Sequence, residues 1–401
     1  MLWRVMRRNL SGLRAGQCHA LRFAAPAAIA VLALVLTGLA QMPATLTQSQ
    51  PTELRVRATG WWPTKRTAAR GDFLGPESCT RCHASIAAMQ QNTDMRLTSM
   101  AGGDSALLRA NTPVRLQIGP YTYEMKRSER GAEYSVSNRK QTIAEPLAWA
   151  FGDGSTGQSY VIRHNGSFYE GRMSYFTSLK EFGLTPNHPT APAATLEKSF
   201  GRRLNEEETL ACFGCQTTAS TTATGFDPAR LMHGVTCEAC HGPGADHVAL
   251  REANLSGSPD VILNPARLTP VDSVDFCGAC HRTWWDVKQI GMRGPANVRF
   301  PPYRLEQSRC WGKGDVRITC IACHDPHRPL VHEAAAYDEK CLTCHANRGT
   351  PQTGGKAGAA CPKATSDCVS CHMPKYDIPG THLRYTDHRI RVVRAGEAFP
   401  D

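Results

Sequence analysis

The sequence predicts short α-helices and irregular loops wrapped around bound groups that stand in for an apolar interior, together with a small β-rich insert. Three observations lead there. Cys-x-x-Cys-His occurs six times in the 401 residues: Cys79-Cys82-His83, Cys237-Cys240-His241, Cys277-Cys280-His281, Cys320-Cys323-His324, Cys341-Cys344-His345 and Cys368-Cys371-His372. The 34 glycines, the 26 prolines and an aromatic share of only 7% suit a wrap better than a conventional core. Residues 111–180 hold no cysteine and instead alternate short β-prone runs with turns.

Cys-x-x-Cys-His is the attachment signature of c-type haem: each thiol forms a thioether to a haem vinyl group and the adjacent histidine reaches the iron. Paired cysteines also build zinc sites, and exported chains use cysteine for disulfides. Neither rival requires a histidine directly after the second cysteine. Iron–sulfur ligation uses tighter or different cysteine runs. The fold class is therefore a multihaem cytochrome c, with six haem c groups and a seventh in question at Cys212-Cys215-Gln216, which keeps the cysteines and replaces the histidine.

Residues 1–40 read as a signal peptide or membrane anchor. Arg4, Arg7, Arg8, Arg14 and Arg22 precede an uncharged, mostly apolar run from Phe23 to Ala40, with small residues at Gly38 and Ala40 suited to cleavage. At 18 residues the run also reaches the lower limit of a membrane span. Either reading exports the rest of the chain, to the periplasm, with residues 23–40 as the alternative inner-membrane anchor. Without the five arginines the formal charge falls from +11 to +6, and haem propionates lower it further. With no clustered basic stripe, a nucleic-acid partner is excluded. The expected partners are membrane or periplasmic redox proteins.

Residues 41–72 read as a linker, with Trp61-Trp62 a docking point. Residues 73–110 form a first haem segment, with a short helix expected from Ser85 to Met100. Residues 111–205 form the β-rich insert and a turn-rich connection. Val114–Ile118, Tyr121–Lys126, Glu133–Val136, Tyr160–Arg163 and Ser167–Glu170 are its strands, and Gly119-Pro120, Arg130-Gly131 and Asn165-Gly166 its turns. Residues 206–395 form a haem-dense domain. Its motif starts are separated by 25, 40, 43, 21 and 27 residues, too few for an independent apolar domain between any two. Haems must supply the core there, and short helices are expected after each motif.

Eight histidines lie outside the motifs and the leader: His164, His188, His233, His247, His327, His332, His382 and His388. A second imidazole on an iron makes a low-spin electron-transfer site. His233, His247, His327, His382 and His388 are the expected distal ligands, each reaching over to a neighbouring iron. His188 and His332 stand between ligation and a structural role, and His164, beside the Asn165-Gly166 turn, reads as a hydrogen-bonded residue. Met95, ahead of Met100, is the candidate cap for the first haem. At Gln216 three readings stand: a haem with one open position, a haem capped by a distant histidine, or a haemless pair of thiols. Cys310 and Cys361 read as a disulfide or as two buried thiols.

The run His233-Gly-Val-Thr-Cys-Glu-Ala-Cys-His-Gly-Pro-Gly-Ala-Asp-His247 resembles the multihaem cytochromes c of the cytochrome c-552/c-554 type. So do Cys320-Ile-Ala-Cys-His-Asp-Pro-His327, Cys368-Val-Ser-Cys-His-Met-Pro-Lys375 and Thr386-Asp-His388-Arg-Ile. The resemblance covers about residues 73–393 and implies electron shuttling through closely spaced, mostly six-coordinate haems. It also favours Met95, through Thr93-Asp94-Met95-Arg96, as the first cap. More distant relatives act on small nitrogen or oxygen species at one special haem. A multihaem oxidoreductase with its atypical haem on Cys212 and Cys215 is thus the alternative, and a partner-docking module a third reading. No Ser-His-Asp order, phosphate-binding glycine loop or nicotinamide fingerprint supports other chemistry.

Overall fold

A computed structural model describes residues 70–128, 131–222, 224–255, 261–311, 317–345 and 360–401. The leader, most of the linker and Trp61-Trp62 lie outside them. Among the described residues no helix is long and apolar enough to cross a membrane.

The first helix, α1 (Pro76–Gln90), starts at Gly75, whose φ of 86° lets the chain turn in, and at Pro76, which needs no amide partner at that position. It holds the first motif. The expected helix from Ser85 to Met100 is displaced towards the N-terminus: the chain leaves helix at Gln90, where Thr93 Oγ1 donates to the Gln90 carbonyl at 2.8 Å. It then enters β1 (Ser99–Ala101) and α2 (Ala106–Asn111).

The insert is larger than expected. Nine further strands follow: β2 (Val114–Ile118), β3 (Tyr121–Ser128), β4 (Gly131–Ser137), β5 (Thr142–Phe151), β6 (Gly157–His164), β7 (Ser167–Glu170), β8 (Met173–Phe176), β9 (Glu181–Leu184) and β10 (Arg202–Arg203). With β1 they make a ten-stranded antiparallel sheet in the order β10-β7-β6-β5-β4-β3-β2, with β1 on β5 and β8 between β6 and β9. The Asn165-Gly166 turn is as expected, with both residues at positive φ. The longest strand, β5, went unread because Pro146 breaks its pattern; Pro146 pairs with Glu133, just before a register shift between Leu147 and Trp149. Strands β8 to β10 hide in a polar, turn-rich sequence. The sheet has its own apolar core, in which Tyr123, Met125, Tyr134, Val136, Ala150, Tyr160, Ile162, Met173 and Phe200 are fully buried. Helix α3 (Leu196–Ser199) packs beside it.

The rest is helical and sparse: α4 (Glu206–Gln216), α5 (Cys237–His241), α6 (Ala245–Glu252), α7 (Pro270–His281), α8 (Trp284–Ile290), α9 (Pro301–Glu306), α10 (Cys320–Cys323), α11 (Asp338–His345) and α12 (Cys368–His372). The cysteine pairs lie within helices, and not ahead of them as expected, although His324 falls on extended backbone just past α10 and His83 leaves helical geometry inside α1. Spacing explains this: residues i, i+3 and i+4 share one helix face, so a helical motif turns both thiols and the histidine the same way. Caps supply the starts, as where Asn205 and Glu208 box α4 and Thr283 and Asp286 box α8. Helices α10 and α12 bury no residue at all.

Candidate haem sites

Thiols of different motifs come together. Cys79 lies close enough to Cys237, Cys277 to Cys320, and Cys341 to Cys368 for each thiol to influence the other's ionisation. Burial pushes the Cys240 thiol up to about 12. Among the described residues no group of three or more His, Cys, Asp or Glu is arranged to hold a bare metal ion. Cys361 is exposed and unbridged, which departs from both readings of that thiol.

The histidines carry the clearest geometry. The rings of His241 and His327 lie 6.1 Å apart, centre to centre, with planes 12° from parallel. Those of His324 and His388 lie 6.2 Å apart at 43°. Five bonds of about 1.33 Å close a ring of radius about 1.1 Å, and a nitrogen–metal bond is about 2.0 Å, so two imidazoles on opposite sides of one metal ion stand about 6.3 Å apart. Both pairs match that spacing. Their Nδ1 atoms are engaged as ligating imidazoles require: His241 Nδ1 on the Leu263 carbonyl at 2.7 Å and His388 Nδ1 on the Thr386 carbonyl at 3.1 Å. A carbonyl only accepts, so each Nδ1 carries the proton and each Nε2 the lone pair. His327 Nδ1 faces Asp325 at 3.3 Å, and His324 Nδ1 faces the Tyr337 hydroxyl at 3.4 Å. Burial pushes the His388 imidazole down to about 4, which keeps it neutral. The donor set and its spacing fit haem iron.

The family model described as cytochrome c554 and c-prime matches residues 185–242, the stretch that ends on His241 and its motif. Over that stretch the chain is similar to a family of haem-binding cytochromes c. The solved structure of an outer cell wall cytochrome, OcwA, is 14% identical over 80% of each chain with a TM-score of 0.49, a likeness too weak to carry an argument. No curated protein matches the chain.

Elsewhere in the chain the expected ligands are scattered. His372 Nδ1 sits on the Arg391 carbonyl at 2.8 Å, the same tautomer lock as at His241. His281 ends α7, near enough to His324 for their charges to interact. His83 and His345 lie exposed on α1 and α11. His233 Nδ1 meets Ser99 Oγ at 3.2 Å, and His247 lies in α6. The exposed His382 sets its ring edge-on to Phe176 at 5.3 Å. His188 turns Nε2 to Glu170 at 3.1 Å, so the nitrogen that would meet an iron is engaged by a carboxylate. His164 is hydrogen-bonded, as read, to Glu145 at 2.7 Å and Glu197 at 3.0 Å. Met100 packs against the sheet core, whereas the Met95 loop is tied to the second motif by Val235 N donating to its carbonyl at 2.9 Å.

At the atypical pair, the Thr98 hydroxyl donates to Gln216 Oε1. Cys212 is unbridged and packs on the cluster of Phe151, Val161, Leu204 and Phe213. Phe213 stacks on Phe226 at 3.9 Å and meets Trp149 edge-on at 4.9 Å.

Two acids that motif reading passed over join the sites. Glu238, inside Cys-Glu-Ala-Cys-His and fully buried, accepts from the amides of Leu74 at 2.9 Å and Gly75 and Gly244 at 2.8 Å. It binds the segment before the first motif to the second motif. Asp338 accepts from Asp367 N at 2.8 Å and Cys368 N at 2.9 Å, capping the last motif from the start of α11. The only sequence signal for either was an acid within or just before a motif.

Proposed function

We propose that the protein is an exported electron carrier whose irons are mostly six-coordinate. Haem c, when bound, supplies a one-electron couple. In this reading Cys237 and Cys240 anchor one haem with His241 and His327 as its axial pair. Cys320 and Cys323 anchor another with His324 and His388. The remaining Cys-x-x-Cys-His motifs hold four more, with Met95, His233, His247 and His382 as the candidate caps and Met95 assigned to the first haem; His188, held by Glu170, is set aside.

The observation that carries the reading is the imidazole spacing in the two pairs. Two capped faces leave no open position for substrate, so the residues bind and tune, and charge passes between neighbouring sites. The basic leader supports export to the periplasm, with residues 23–40 as cleaved signal or anchor, and redox proteins as partners.

The test is an absorption and electron paramagnetic resonance spectrum of the purified protein, with and without carbon monoxide. Low-spin signals dominated by paired imidazoles are expected. A predominantly high-spin protein that binds carbon monoxide at several haems would overturn the carrier, and a single high-spin haem that binds nitrite would favour the oxidoreductase at Cys212 and Cys215.

A further inference from the structure

His388 stands on irregular backbone between the short strand Arg384–Thr386 and the C-terminus, so neither helix nor sheet aims its ring. What aims it is a buried clamp from α9. Arg304 and Asp387 are both wholly buried, and the guanidinium grips the carboxylate with two parallel bonds, Nε to Oδ1 at 2.8 Å and Nη2 to Oδ2 at 2.9 Å. Its remaining side is also engaged: Nη1 donates to the Pro400 carbonyl at 2.9 Å, and the Phe399 ring lies 4.7 Å from Cζ. Ser308, two residues beyond the helix, donates to the His388 carbonyl at 3.1 Å and accepts from Ile390 N at 2.8 Å.

The same segment serves a second motif. Asp387 N donates to the Pro374 carbonyl at 2.9 Å, and Arg391 N to the His372 carbonyl at 3.2 Å. The Arg391 carbonyl in turn takes the His372 Nδ1 proton. Residues 387–391 therefore present one imidazole and lock the tautomer of another.

We propose that Arg304, seconded by Ser308, is a positioning residue for two haem irons, acting through Asp387 on the tail that carries His388 and orients His372. The proposal rests on the reading of His388 as an iron ligand. A planar fork is required because only a two-point grip fixes the carboxylate's rotation as well as its position, and so the direction of the adjacent imidazole. Lysine keeps the charge and loses the second point.

The experiment compares the full chain with Arg304→Gln, Arg304→Lys, Ser308→Ala and His388→Ala, all matured in a host that attaches c-type haem. Intact mass counts haems, and resonance spectra with carbon monoxide count high-spin irons. His388→Ala is expected to open one more iron to carbon monoxide than in the parent. Arg304→Gln and Arg304→Lys are expected to do the same at an unchanged haem count, and Ser308→Ala to do so in part. Arg304 variants as low-spin as the parent would overturn the clamp. Should they fail to mature, Ser308→Ala decides: a partial high-spin signal upholds the proposal and none overturns it. An unchanged spectrum in His388→Ala would instead sink the ligand reading beneath it.

Discussion

His327 reaches the ring of His241 from a turn held by Asp325, which takes the His327 amide at 2.9 Å and sits beside its Nδ1. Replacing that imidazole by a thioether should keep the iron six-coordinate and raise its potential. His327→Met is expected to shift one couple upward, within the ~0.8 V that axial ligands command, in a potentiometric titration. An unmoved set of couples would remove His327 from the axial pair. His164 carries a different prediction. Burial pulls its pKa down, but the hydrogen bonds and charges of Glu145 and Glu197 outweigh this and raise it. A raised folded-state pKa stabilises fully below the unfolded value of about 6.5 and is lost as pH rises through the folded value. The insert should therefore unfold at a higher denaturant concentration at about pH 5.5 than at about pH 8.5, and His164→Gln should reduce that difference. The same slope in wild type and variant would discharge His164 of the role.

Elements meet here through single backbone contacts. Gly234, at a φ of 74°, passes so close to the Arg96 carbonyl that any Cβ would collide with it. This crossing ties the Met95 loop to the second motif, beside the bond from Val235 N to the Met95 carbonyl. Left-handed backbone alone costs an alanine roughly 1–2 kcal/mol, before any clash. Gly234→Ala should thus lower stability by more than ~1 kcal/mol and speed amide exchange at Val235; protection equal to wild type would show that the crossing is soft. Much of this level was legible in advance. The strands from Val114 to Glu170 announced themselves by alternation and by the Asn165-Gly166 turn. Strand β5 did not, because Pro146 is tolerated at a point where the ladder is about to slip, which only the paired partner reveals.

Across the whole molecule two kinds of interior coexist. The sheet closes over tyrosines, methionines and Phe200, an ordinary apolar core. Around the motifs, by contrast, α10 and α12 bury nothing, and the largest apolar group near α8 and α9 consists of Val287, Phe300 and Tyr303. In the proposed reading, bound haems supply the interior for the helices that carry Cys-x-x-Cys-His. Intact mass of the mature protein should show six thioether haems. Fewer would leave motifs without their group, and a seventh would place one at Cys212 and Cys215, against the aromatic cluster that now packs Cys212.

The expectation of covalent haem came from sequence alone, because the attachment signature is five adjacent residues and nothing distant. The family resemblance likewise rested on short runs around His233, Cys320, Cys368 and Thr386. Which imidazole faces which was beyond it: His327 lies 86 residues from His241 and His388 lies 64 from His324, and nothing local told the five expected distal ligands apart by partner. Tertiary structure decided those pairings. Buried hydrogen bonds to Glu238, Asp338 and Asp387 fold distant segments onto one another, and such bonds take their partners from proximity in space, which local spacing does not encode.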